Sequence, residues 1–380
     1  MSHFVTMAKP VGSYCNMRCS YCYYLKADSG QVFSSLRMNN EVLEEYIKQV
    51  INSSKEKTVS FTWHGGEPTL AGLDFFKEVV KLQKKYLRDD MNCWNNIQTN
   101  GLLIDEDWCQ FLKENHFDIG FSIDGTEFVH NRYRLDDKGN DTYERVRHSL
   151  QFMKDYGLTP DLLCTITSDC ATNAKAVYSK LHSLQTGWIQ FIPIVRRDLK
   201  GNVTEDSVTP IQYGKFLKEI FKEWIHHDLG KLNVQQFAET SLMLTGQPST
   251  VCWLQETCGN VLVVERDGSV FSCDHFVNQE HYLGNLLQTS LDKLHESSFQ
   301  QSFGFKKKTD LSKQCLNCKW FSLCYGGCPK DRFLINEDSE KQYYLCEGVK
   351  MYLDYAVPLL EKAIEYSKKG YSQKEIMKKI

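Results

Sequence analysis

The chain has no stretch approaching the roughly 18 uninterrupted apolar residues of a membrane span. Its amino terminus, MSHFVTMAKPVGSYC, lacks the charged segment and apolar run of a secretory signal. It also lacks net charge. Lys and Arg number 45 against 48 Asp and Glu, which leaves −3 over 380 residues and excludes the broad basic field that nucleic acid requires. There is no internal repeat and no low-complexity run. What remains is an ordinary globular composition, 42% apolar and 24% charged. The length allows one large domain or two to three smaller ones. The expectation is a soluble, cytoplasmic protein, monomeric by default, with no nucleic-acid or membrane partner.

Cysteine is the residue present in excess. There are 15, an odd number, with short spacings and no export signal, so metal or catalytic use outranks a disulfide framework. They cluster at 15–22, 252–273 and 315–346. Cys93, Cys109, Cys164 and Cys170 are scattered and read as buried small hydrophobes. In CNMRCSYCYY, Cys15, Cys19 and Cys22 are three thiols, an incomplete set for an iron–sulfur cube or a tetrahedral zinc. An open position implies a ligand from outside the chain.

Up to about residue 235, strand and helix signals alternate. The strand-like HFVTMAKPV, TVSFTWHGG, CWNNIQTNG, FDIGFSIDG, LTPDLLCTITS and WIQFIPIV are separated by helical patterns such as NNEVLEEYIKQVINSS, with Asn39 or Asn40 as cap. Six such units predict an α/β fold with a parallel sheet, short of the eight of a closed barrel, hence a partial (β/α)6 TIM-like barrel. Chemistry in such folds gathers at the carboxyl ends of strands. The cysteine loop, HGGEP, QTNG, SIDG and PIVRR all fall there. From about 250 the chain becomes loop-rich and dense in cysteine. VLVVE and SVFSC flank Arg-Asp-Gly as a hairpin, and YLDYAVPLLEKAIEYSKK is a final helix. The predicted organisation is a barrel over 1–235, a small cysteine-rich domain over 236–350 and a C-terminal helix over 351–380. Such a module needs metal, because it buries too little apolar area alone.

The three-cysteine motif, with Tyr21 inside it and HGGEP after the next strand, resembles the signature of radical S-adenosylmethionine (SAM) enzymes. The resemblance implies that the methionine end of S-adenosylmethionine fills the open position on a [4Fe–4S] cluster held by Cys15, Cys19 and Cys22. It implies cofactor contacts from Tyr21, Gly66, Glu67, Ser122, Arg134 and Val195. On the residues alone, the glycines allow close backbone approach to a ligand, and Glu67 is able to pair with an ammonium. The later cysteines resemble a SPASM domain with two auxiliary [4Fe–4S] clusters. By that resemblance Cys252, Cys258, Cys273 and Cys328 hold one, and Cys315, Cys318, Cys324 and Cys346 the other. Spacing alone does not give this pairing, and two zinc ribbons would use the same residues.

Across nearly the whole chain, KPVGSYCNMRCSYCYYLK, FTWHGGEPTLAG, NIQTNGLLID, FSIDG and DGSVFSCDHFV resemble anaerobic sulfatase-maturating enzymes. The resemblance makes Asp274 the proton acceptor and puts Tyr24 and His64 on the substrate side. A hydrogen bond to the substrate backbone is the role expected of His64. The implied reaction begins when an electron from a flavodoxin- or ferredoxin-type donor enters the first cluster. A 5′-deoxyadenosyl radical then takes a hydrogen from the β-carbon of a serine or cysteine in an unfolded sulfatase polypeptide. Asp274 takes the proton, an auxiliary cluster takes the electron, and the product is Cα-formylglycine. The competing readings are a SPASM peptide maturase, which forms thioether or carbon–carbon crosslinks in a ribosomal peptide, and a zinc-stabilised binding module. Many such maturases carry an extra N-terminal recognition domain. Here the first predicted strand begins within about ten residues, so that domain is expected to be absent.

Overall fold

A computed structural model describes residues 4–25 and 36–380. The principal elements, in chain order, are β1 (Val5–Lys9), α1 (Asn40–Ser53), β2 (Thr58–Trp63), α2 (Leu73–Tyr86), β3 (Asn92–Thr99), α3 (Glu106–Glu114), β4 (Phe117–Ser122), α4 (Tyr143–Asp155), β5 (Asp161–Ile166), α5 (Ala174–Ser183), β6 (Trp188–Pro193), α6 (Pro210–His227), β7 (Asn233–Val234), α7 (Gln235–Leu244), β8 (Val261–Glu265), β9 (Ser269–Phe271), β10 (Tyr282–Asn285), β11 (Arg332–Ile335), β12 (Lys341–Tyr343) and α8 (Cys346–Lys368). They divide into two compact units. The first comprises Met1–Ser122, Asn131–Pro160 and Gly259–Phe305; the second comprises Ile123–His130, Asp161–Cys258 and Lys306–Ile380.

In the first unit the strand order is β10-β9-β8-β1-β2-β3-β4. β8, β1, β2, β3 and β4 are parallel, and β9 and β10 continue as antiparallel neighbours. The α/β alternation read from the sequence is therefore present. The hairpin around Arg266-Asp267-Gly268 forms as expected. Its first strand, β8, lies parallel to β1 in a register that sets Lys9 opposite Glu265. That pairing places the end of β8, and the residues after its hairpin, at the carboxyl end of β1.

Local chemistry explains the element boundaries. Asn39 caps α1 by accepting from the Val42 N–H at 2.9 Å. Asp105 does the same for α3 through Trp108. The core under these helices is aromatic: Tyr46, Phe61, Trp63 and Phe76 are fully buried, with ring centroids 5.7–6.2 Å apart. Burying one such side chain is worth roughly 1.5–3 kcal/mol.

The second unit carries β5, β6 and β7 in parallel, with the β11–β12 hairpin separate. Thr209 and Gln212 form a capping box at the start of α6, with Pro210 in its first turn. α8 packs on α6 where Gly348 and Gly214 meet; a Cβ on Gly348 would lie 2.2 Å from the Pro210 carbonyl oxygen. Cys109, Cys164 and Cys170 are buried, and Cys93 is partly so. Among the described residues, no helix is long and apolar enough to cross a membrane.

Candidate active site

Three neighbouring parallel strands end at one level in the first unit. β1 ends at Lys9, β2 at Trp63 and β8 at Glu265, and the His64 N–H donates to the Ala8 carbonyl at 2.9 Å. Lys9 lies at the centre, with its side chain fully buried. Its ammonium pairs with Asp274 Oδ1, lies 3.4 Å from His64 Nδ1 and sits 4.3 Å from the centre of the Tyr24 ring. Tyr23 donates its hydroxyl to the other oxygen of Asp274.

Burial opposes ionisation of Asp274. The Lys9 charge and the Lys9 hydrogen bond oppose it and hold the carboxyl well below the usual range. His64 moves the other way. Burial, then the Lys9 charge, lowers it to about 4, so the ring is neutral at pH 7 and Lys9 is the resident cation. His64 Nδ1 accepts from the Gly65 N–H at 2.7 Å, which leaves the ring proton on Nε2.

Two sequence-predicted residues have unexpected partners. Tyr24, expected on the substrate side, is buried and gives its hydroxyl to Glu265. Tyr23, its half-exposed neighbour, is the tyrosine that reaches Asp274. Glu67 is buried with four donors on its carboxylate: Thr69 N–H (3.0 Å) and hydroxyl (2.7 Å), Thr99 hydroxyl (2.9 Å) and Asn100 N–H (2.7 Å). Burial raises its pKa, and those hydrogen bonds oppose the rise. The close approach expected of the glycines is made to another stretch of this chain. The Gly66 N–H donates to the Gly12 carbonyl at 2.8 Å and the Glu67 N–H to Tyr14 at 2.9 Å. A Cβ on Gly66 would fall 2.0 Å from the Tyr14 carbonyl oxygen. The GGE turn is thus stitched to the cysteine loop.

In that loop Cys15, Cys19 and Cys22 are near enough for the charges of Cys19 and Cys22 to add to the rise of the Cys15 thiol. Burial and Glu67 are its larger causes, and together they push it to about 12. Cys15 Sγ accepts from the Met17 N–H at 3.3 Å and the Asn100 amide at 3.6 Å, as a metal-bound thiolate does. Three thiols with donors aimed at one of them fit a cluster with one open iron. Tyr21 and Arg134 are both buried and form a cation–π pair at 5.6 Å. Ser122 ends β4 and accepts from Gln98 at 3.1 Å.

In the second unit Cys315, Cys318, Cys324 and Cys346 line one pocket, a donor set that fits a four-thiolate cluster. Cys252 lies within electrostatic reach of both Cys258 and Cys328 there. Val195 follows β6 in this unit and is partly buried. Cys273 belongs to the first unit, beside Asp274. Sequence reasoning missed Lys9, Tyr23 and Glu265. Their only signal was position: a charged residue at each of two predicted strand ends, and a second tyrosine in the cysteine loop.

The family model for the radical SAM superfamily matches residues 10–170, and that for the SPASM iron–sulfur cluster-binding domain matches 252–319. The chain is 36% identical over 374 residues to a serine-type anaerobic sulfatase-maturating enzyme of Bacteroides thetaiotaomicron, covering 93% of this chain and 90% of that one. The chain belongs to the anaerobic sulfatase-maturating enzymes. A cysteine-type member of this family from Clostridium perfringens is also 36% identical, over 362 residues and 93% and 96% of the two chains. A solved structure of the family, native anSMEcpe with bound AdoMet and Cp18Cys peptide, superposes with a TM-score of 0.86 at 34% identity, covering 97% of this chain and 99% of that one. As a family member the protein is a radical SAM enzyme, with an α/β core of mostly parallel strands followed by a SPASM domain.

Proposed function

We propose that this enzyme oxidises a serine or cysteine in an unfolded sulfatase segment to Cα-formylglycine, with Asp274 as proton acceptor. The observation that carries the reading is the setting of Asp274, an ionised carboxylate beside Cys273, aimed by Lys9 and Tyr23 at the strand ends of the unit that holds the three-cysteine loop. The identity of the relatives does not choose the target residue, since serine-type and cysteine-type members are equally similar.

In this reading the radical SAM core spans 1–235, the SPASM domain 236–350 and the C-terminal helix 351–380. Cys15, Cys19 and Cys22 hold the cofactor-binding cluster. Cys252, Cys258, Cys273 and Cys328 hold the first auxiliary [4Fe–4S] cluster; Cys315, Cys318, Cys324 and Cys346 hold the second. Tyr21, Gly66, Glu67, Ser122, Arg134 and Val195 form the S-adenosylmethionine pocket, where Glu67 acts by fixing its turn through Thr69, Thr99 and Asn100. When bound, these groups supply hydrogen-atom abstraction from the target β-carbon and a route for the departing electron.

The side chains do the rest. Asp274 accepts the proton of the target hydroxyl or thiol, within hydrogen-bond reach or through one water. A carboxylate held so firmly in its ionised form is a weak base. That suffices, because the hydroxyl becomes far more acidic once its carbon has lost a hydrogen atom. Lys9 stays beside Asp274 and limits how far the proton is retained. His64, neutral with its proton on Nε2, donates to the substrate backbone, and the Tyr24 ring packs against the Lys9 ammonium. The target loses a hydrogen atom, a proton and an electron, two hydrogens in all; a thioaldehyde formed from cysteine is hydrolysed to the same aldehyde. A flavodoxin- or ferredoxin-type protein is the electron donor, and the enzyme works as a cytoplasmic monomer.

The test is mass spectrometry of sulfatase-derived peptides, with serine or cysteine at the target, incubated anaerobically with reconstituted enzyme, reductant and S-adenosylmethionine. Loss of two hydrogens from the serine peptide, with a hydrazine-reactive aldehyde, is the expected result. Deoxyadenosine release with both peptides unchanged would overturn it in favour of peptide crosslinking.

A further inference from the structure

Lys307 and Arg332, both in the second unit, are buried cations with unusual partners. The Lys307 ammonium donates to the carbonyls of Cys252 (3.0 Å), Trp253 (3.2 Å) and Gln255. The Arg332 guanidinium donates to the carbonyls of Gly326 (2.8 Å), Tyr325 (2.8 Å), Gly327 (3.3 Å) and Lys307 itself (2.7 Å). Residues 325–327 form a left-handed turn, with φ of 47°, 70° and 63°. That turn is the whole connection between Cys324 and Cys328, which the reading above assigns to different auxiliary clusters. The two cations therefore brace the loop that begins at Cys252 and the turn that joins the two thiol sets.

Every hydrogen-bond partner of this pair is a neutral carbonyl. Among the described residues neither cation has a carboxylate partner, and the nearby Asp331 is paired with Lys330 at 2.8 Å. A buried charge without a counter-charge is strongly unfavourable. Apart from Asp331, the anions that act on this pair are thiolates: those of Cys252, Cys258 and Cys328 on Lys307, and those of Cys258, Cys315, Cys324 and Cys328 on Arg332. Four thiolates on an iron–sulfur cube form a net anion, and its charge rises by one when an electron arrives. Fixed cations beside it favour that arrival.

We infer that Lys307 and Arg332 are the counter-charge of the auxiliary clusters, a fixed positive pair that tunes these sites to accept the electron leaving the substrate. The inference rests on the cluster assignment proposed above. The electron comes from the oxidised target carbon, one per turnover, and leaves to a ferredoxin- or flavodoxin-type carrier; Lys307 and Arg332 exchange neither proton nor electron.

The test is an anaerobic redox titration of the reconstituted full-length enzyme, read by electron paramagnetic resonance together with iron and sulfide content. Lys307→Gln keeps a donor for the carbonyls but removes the charge. It is expected to lower an auxiliary midpoint by roughly tenfold in the reduction equilibrium, about 59 mV for one electron, with the three-cysteine cluster unmoved and Lys307→Arg restoring the wild-type value. Asp331→Asn removes a negative charge from the same region and is expected to move a midpoint the opposite way. An iron-replete Lys307→Gln enzyme with wild-type midpoints overturns the inference. Wild-type enzyme without auxiliary iron would instead sink the cluster assignment, a failure visible before any variant is made.

Discussion

Two lysines, Lys9 and Lys307, are fully buried and solve the same electrostatic problem differently. Lys9 has its counter-charge in the chain, Asp274, with a neutral histidine and an aromatic face completing its shell. Lys307 has only backbone carbonyls. The difference teaches where each site is finished. The Lys9 site has its counter-charge within the polypeptide, before any cofactor arrives. The Lys307 site is short of negative charge until thiolates ionise, and metal binding is what ionises them.

The comparison breaks hardest at Asp274. Asp274→Asn strips Lys9 of its counter-charge and removes the proton acceptor while keeping the shape. Formylglycine formation is expected to fall by about 10²–10⁴-fold, the usual weight of a positioned base, with cluster content and deoxyadenosine release retained. Aldehyde-reactive mass spectrometry beside nucleoside chromatography checks it; undiminished aldehyde yield would remove Asp274 from its role.

Next comes stability. Lys9→Met leaves a largely buried carboxylate without its cation and is expected to destabilise the metal-free protein by roughly 2–4 kcal/mol. Lys307→Met in the same metal-free state removes a cation that lacks a partner, so its loss is expected to be smaller and to grow once clusters are loaded. Denaturant midpoints of both variants, with and without iron, decide it. Equal effects in the two states would erase the distinction between the lysines.

The smallest effect belongs to His64. Its native pKa of about 4 lies below the ordinary histidine value near 6.5. Between those pH values the unfolded chain binds a proton that the folded one refuses. Its contribution is therefore present above about pH 6.5 and is lost as the pH falls toward 4, by on the order of 2–3 kcal/mol. His64→Gln is expected to flatten that part of the stability profile. A profile unchanged by the substitution would show that the fold does not hold the ring neutral.

Much of this was legible beforehand. Cys15, Cys19 and Cys22 announce themselves by spacing, the Arg266-Asp267-Gly268 turn by its residues, and the α1 cap by Asn39 within one position. The centre of the site was not. Lys9 looks like one more charge before a proline, and its role depends on the β1–β8 register, a pairing between segments more than 250 residues apart that no local pattern encodes. Tyr23 and Tyr24 are adjacent and chemically identical, so only the path of the backbone decides which hydroxyl meets Asp274. The glycines before Glu67 read as allowing close backbone approach to a ligand, but composition does not name what comes close. They accommodate residues 12–14 of the same chain.

The parallel pairing of β1 with β8 also sets the order in which the molecule can be built. A ribosome adding roughly 5–20 residues per second releases Val5–Lys9 some tens of seconds before Val261–Glu265 exists to cover its edge. Until then β1 presents an unpaired row of backbone groups on that side, the kind of edge that recruits wrong partners. Closing the contact also requires a long loop, which slows folding. The nascent chain therefore completes its sheet and brings Asp274 to Lys9 in the same late event, and a truncated chain has neither.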